Sequence, residues 1–126
     1  MRLLLDTHTY LWWLADDASL SSAARSGIAA PESIVHVSAA TIWEAEIKAA
    51  LGRLDTNGAD LADEIANNGF VELAITARHA AVAGRLPRHH ADPFDRMLVA
   101  QAQTEGLLLV TRDRQISEYK VDLLPA

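Results

Sequence analysis

The chain has 126 residues, half of them hydrophobic and 22% charged, which fits one globular domain and excludes a disordered chain. It contains no cysteine, which excludes disulfides, thiolate zinc sites and a cysteine nucleophile, so any metal must rest on Asp, Glu or His. A formal charge of −6 lacks the basic footprint of a DNA-binding module.

Arg2–Asp6 is an apolar run ending in a carboxylate, the pattern of a buried parallel strand. Asp6 and then His8 break this run too early for a signal peptide or a membrane span, so a cytoplasmic protein with no membrane partner is expected. Thr7–Ala15 follows as a helix with Thr7 as a candidate cap, and Ser21–Ala30 as a second. Pro31 marks a turn, and the β-branched Ile34–Val37 reads as a strand. Ser38 is placed to cap a helix over Ala39–Leu51 that Gly52 stops. Gly58–Asn68 is predicted as a helix, Phe70–Leu73 as a strand, Thr76–Leu86 as a helix and Pro87–Ala91 as a polar loop. Asp92 and Pro93 provide the N-cap and first position of a helix that Gly106 ends. Leu107–Val110 is another buried strand, followed by Thr111-Arg112-Asp113, a short helix and a last strand near Val121–Leu124. Strands alternating with helices predict a single α/β domain over residues 1–126, with a central parallel sheet covered on both faces.

Chemistry in such a sheet gathers at the carboxyl ends of its strands. Asp6 ends the first strand, Asp113 follows a late one, Glu44 lies early in the helix after Val37, and Asp95 sits in the first turn of the helix that Asp92 opens. On the helical wheel Trp43, Ile47, Ala50, Leu51 and Leu54 form an apolar stripe expected to face inward, with Glu44 nearer to it than Glu46. Asp95 falls among Leu98, Val99 and Ala102, and Arg96 lies off that face. Inward carboxylates are costly unless they bind a cation or accept hydrogen bonds. Four of them at one sheet edge suit a hard divalent cation, Mg²⁺ or Mn²⁺.

Each acid also has an ordinary explanation. Glu44 can pair with Lys48 at i,i+4, Asp95 can complete a capping box with Asp92, Asp113 can close a turn, and Asp6 can cap the helix after it. Arg78, Arg85, Arg88 and Arg96, interleaved with His79, His89 and His90, form the least acidic surface. His89 and His90 are expected as solvated loop residues, Trp12 and Trp13 as core, and His8 as packed beside the acids.

With those motifs in place, the sequence resembles the PIN-domain ribonucleases, and within them the VapC-type toxins of bacterial toxin–antitoxin pairs. The matching segments are LLLDTHTYLWWL at 3–14, VSAATIWEAEIKAALGRL at 37–54 and LPRHHADPFDRMLVAQAQTEGLLLVTRD at 86–113, with the closing strand. The resemblance implies a three-layer α/β/α sandwich and Mg²⁺- or Mn²⁺-dependent cleavage of RNA by metal-activated water. It also implies a homodimer and an antitoxin peptide bound in a groove near the site. Carried over by position, Asp6 and Asp95 are the central metal ligands, Glu44 completes the site or orients the attacking water, and Asp113 is the fourth acid. Thr111 supports them through hydrogen bonds, and Arg88, Arg96 and Arg112 are candidates for contacts to RNA phosphates. Two other readings compete. One is an Asp-dependent phosphoryl-transfer or receiver-like domain, although His8 stands where a second Asp is wanted and no Lys follows LLLV. The other is a binding module without activity.

Overall fold

The computed structural model describes residues 1–126. Five strands, β1 (Arg2–Leu5), β2 (Ile34–Ser38), β3 (Val71–Leu73), β4 (Leu108–Thr111) and β5 (Leu123–Pro125), form one parallel sheet in the order β3-β2-β1-β4-β5. Six helices fill the connections: α1 (Thr7–Leu14), α2 (Ser22–Ala29), α3 (Ala39–Ala50), α4 (Leu61–Asn67), α5 (Ala77–Arg85) and α6 (Pro93–Glu105). A 3₁₀ turn over Arg114–Glu118 leads into β5. No helix is long and apolar enough to cross a membrane.

The central strand explains the architecture. Leu3, Leu4 and Leu5 are all fully buried because β1 has a strand on each side and helices on both faces. Each such leucine contributes roughly 1.5–3 kcal/mol by leaving water. Alternation then splits the core in two. Leu3, Leu5, Val35, Val37 and Val110 meet Tyr10, Ala24, Ile28 and Ile65 on one face. Leu4 and Leu109 meet Ala83, Leu98, Val99 and Ala102 from α5 and α6 on the other. The result is the expected α/β/α sandwich. The chain fills β1, β2 and β3 to one side and then returns to lay β4 and β5 on the other, so the strand order reverses at β1 and opens a crevice at its carboxyl end.

Several sequence expectations shift. Asp6, not Thr7, caps α1: its Oδ1 accepts the Thr9 N–H at 2.9 Å, which leaves the Thr7 hydroxyl free for a partner elsewhere. The predicted helix at 58 begins only at Leu61, because Asp60 caps it and Asn57 and Gly58 both take positive φ in the turn before. His79 is buried rather than part of a surface stripe: Thr76 caps α5 and His79 Nδ1 accepts the Thr76 N–H in return. Trp12 and Trp13 are half-buried rather than core. The largest correction is the α3 stripe. Trp43 is 63% exposed and Leu51 62%, while Ala40, Thr41, Glu44 and Ala45 form the buried face. Small and polar residues let α3 pack closely beside α1 and α6, and the large apolar side chains are left outside.

Candidate metal centre

Asp6, Glu44, Asp95 and Asp113 line one cleft of about 390 Å³ at the carboxyl edge of the sheet, together with Asp92, His90, Lys48 and Arg112. Four different elements deliver the four acids, and each is anchored by its own local structure. Asp6, 6% exposed, accepts the Thr9 N–H through Oδ1 and the Thr111 hydroxyl through Oδ2 at 2.6 Å. Glu44, 5% exposed, accepts the Thr7 hydroxyl through Oε1 and meets Lys48 Nζ at 2.9 Å through Oε2. The i,i+4 pair therefore forms, and Glu44 faces the cleft as well. Thr111 reaches two acids: its hydroxyl donates to Asp6 and accepts the Asp113 N–H at 3.1 Å. Asp113 Oδ1 accepts the Gln115 N–H and starts the 3₁₀ turn, while its Oδ2 faces His90.

Asp95 does not complete a capping box. Asp92 caps α6 through Oδ1, but the Asp92 N–H is taken by His90 Nδ1 at 3.1 Å, so the Asp95 carboxyl is left for the cleft. Burial, followed by the Asp92 carboxylate and with help from Glu44 and Asp6, pushes the Asp95 pKa up to about 7 against a downward pull from His90. Asp113 behaves oppositely. Burial raises it, but the His90 and Gln115 hydrogen bonds win and hold it below the usual carboxylate range. For His90 itself, burial favours the neutral ring, and the hydrogen bond to Asp113 with the charges of Asp95, Asp113 and Asp92 outweighs it and raises the pKa.

His90, Asp95 and Asp113 bring three potential donor atoms within 4.8 Å of one another. Together with Asp6 and Glu44 the cleft is dominated by carboxylate oxygens, the donor chemistry of hard divalent cations. A carboxyl held protonated to about pH 7 by burial and by neighbouring acids marks a place where positive charge is wanted.

The PIN domain family model matches residues 3–122. The chain belongs to the PIN domain family. It is 32% identical to Ribonuclease VapC22 of Mycobacterium tuberculosis over 125 residues, covering 94% of this chain and 92% of that protein. The fold matches VapBC2 of Rickettsia felis bound to a promoter DNA fragment, with TM-score 0.75, 13% identity and coverage of 99% and 98%. It also matches a toxin–antitoxin complex from Klebsiella pneumoniae, with TM-score 0.65, 19% identity and coverage of 97% and 95%.

In this PIN domain the arginines separate. Arg112 sits at the rim of the acidic cleft, its guanidinium 4.5 Å over the Trp12 ring, and donates to the carbonyls of Ser19 and Ala126. Arg88 is exposed on the loop outside the cleft. Arg96, expected as a free phosphate contact, is committed elsewhere. It donates to the carbonyls of Ala83, Leu86, Pro87 and His90 and to the Tyr119 hydroxyl, tying the end of α5 and the following loop to α6. His8 is exposed at the rim, with its ring 5.8 Å from Trp12. His90, expected in solvent, is instead held in the cleft. Its position two residues before a capping Asp is the signal that could have found it, since a ring there can return to the cap N–H.

Proposed function

We propose that this PIN domain is a Mg²⁺- or Mn²⁺-dependent endoribonuclease and the toxin of a bacterial toxin–antitoxin pair. The observation that carries the reading is the convergence of Asp6, Glu44, Asp95 and Asp113 on one cleft, with the Asp95 pKa pushed up to about 7 by burial and the neighbouring carboxylates. Asp6, Asp95 and Asp113 would hold the ion, and Glu44 would complete the set or orient the attacking water. When bound, a divalent ion lowers the pKa of water and offsets charge on a phosphodiester. The chain's own residues do the positioning: Thr111 fixes Asp6 and Asp113 relative to each other, Thr7 and Lys48 fix Glu44, and Arg112 offers a cation at the rim for an RNA phosphate. The similarity to Ribonuclease VapC22 supports RNA as the substrate class, and a nuclease acting on cellular RNA would work in the cytoplasm.

Two partners belong to this reading. An antitoxin segment would occupy the apolar hollow of about 400 Å³ that includes Leu11, Leu14, Leu54 and Leu61 and joins the cleft at His8 and Trp12. A second copy of the chain would cover the exposed stripe of Trp43, Ile47 and Leu51.

The test uses purified protein free of antitoxin, total cellular RNA, and Mg²⁺, Mn²⁺ or EDTA. Discrete cuts with either metal and none with EDTA are expected. Asp6→Asn is the control, because Asn still caps α1 while the site loses a charge; a drop of at least about a hundredfold is expected. A folded protein that leaves every RNA intact in all lanes sinks the enzyme reading.

A further inference from the structure

His90 stands outside the acids assigned to the metal, yet it is firmly fixed in the cleft. Its backbone N–H donates to the Tyr119 oxygen at 3.0 Å, its carbonyl accepts from Arg96 at 3.5 Å, and its side chain is only 11% exposed. Nε2 lies 2.8 Å from Asp113 Oδ2 and 3.0 Å from Asp95 Oδ2. On the other side of the ring, Nδ1 accepts the Asp92 N–H.

That last contact decides the tautomer. A ring nitrogen that accepts a backbone N–H keeps its lone pair there and carries no proton. The proton of the neutral ring is then on Nε2, donated to Asp113 Oδ2, with Asp95 Oδ2 beside the same nitrogen. An imidazole that ligates a metal through Nε2 needs the reverse, a free lone pair on Nε2 and a proton on Nδ1 donated to an acceptor. The Asp92 amide is a donor and cannot serve. The ring is built to hold Asp113 by a proton while it lies beside Asp95, not to share an ion with them.

We infer that His90 is a positioning residue that bridges the two acids, donating Nε2–H to Asp113 and lying against Asp95, and that a divalent cation must displace this bridge to reach the two carboxylates. The inference rests on the reading of the cleft as a metal site. The bridge gives Asp113 a hydrogen bond and sets the polar N–H beside Asp95, and it makes the ring and the ion competitors.

NMR on full-length protein carrying isotope-labelled histidine tests this without any substitution. Without metal, His90 is expected to carry its proton on Nε2 and none on Nδ1. Adding Mg²⁺, a diamagnetic probe, is expected to remove the hydrogen bond and leave Nε2 unligated. Calorimetric titration with Mg²⁺ and with Mn²⁺ is expected to show His90→Ala binding either ion about threefold to tenfold more tightly than wild type, as when a competing state is removed. An ion-ligated Nε2 with a proton on Nδ1 overturns the bridge, and so does equal or weaker binding by His90→Ala. Those outcomes leave the metal site standing. No binding by either protein overturns both.

Discussion

Asp95 is the acid most out of balance with its surroundings, and its consequences are measurable. A carboxyl whose pKa is raised by folding stabilises the fold below its unfolded value of 3.8, and that contribution is lost as the pH rises through about 7. Metal-free protein is therefore expected to melt at falling temperature as the pH climbs from about 4 to above 7. Asp95→Asn should flatten that slope and melt roughly several degrees above wild type at about pH 8. Thermal melts followed by circular dichroism across this range check both, and a slope unchanged in the variant would sink the assignment. Thr111 gives a second test. Thr111→Val keeps the shape of a buried strand position but removes the hydroxyl that links Asp6 to Asp113. A loss of roughly 10–100-fold in Mg²⁺ affinity is expected by calorimetry.

Among the elements, the junction between α5 and α6 brings His90, Asp92 and Asp95 to the cleft. Arg96 closes it by donating to four carbonyls and one phenol. Those carbonyls lie at the end of α5 and in the loop, where helical partners run out, although the Ala83 carbonyl also accepts the Leu86 N–H at 3.4 Å. Arg96→Ala should destabilise the protein by roughly 2–4 kcal/mol in urea unfolding, and Arg96→Lys should recover little, because an ammonium cannot serve this planar set. A small effect from either change would show that the loop holds itself. The same junction explains the misplaced expectations for α6. The motif Asp92-Pro93 does mark the cap, but spacing offers two partners for the Asp92 N–H and does not choose between them. His90 and Asp95 were both in reach of it, and His90 takes it.

Across the fold, the reversal of strand order at β1 is what turns four ordinary acids into one site. It sets the end of β1 beside the end of β4 and lets α3 and α6 close over the crevice. The same packing leaves Trp43, Ile47 and Leu51 outside, with Trp43 edge-on to Phe94 at 5.3 Å. Apolar side chains of that size in a row mark a contact surface. Light scattering on wild type is expected to give about twice 13.7 kDa, and Trp43→Ala combined with Leu51→Lys to give the monomer mass. A monomeric wild type would leave this stripe to another partner.

The elements themselves were legible in the sequence because their signals are local. Leu3-Leu4-Leu5 marks a buried strand, Ser38 and Asp92 mark helix starts, and Gly106, with φ of +66°, marks an end that suits glycine. The acids were legible as candidates because a carboxylate following a parallel strand points to its reactive edge. Local pattern could not fix orientation. A helical wheel shows that Trp43, Ile47 and Leu51 share a face but not which way it turns, and α3 turned its small face inward because only that face fits beside α1 and α6. Nor could it fix partners. Whether Arg96 met solvent or carbonyls, and whether His90 met water or two carboxylates, depended on chain segments brought together by the sheet crossover, and hydrogen bonds between distant segments exist only once that packing has formed.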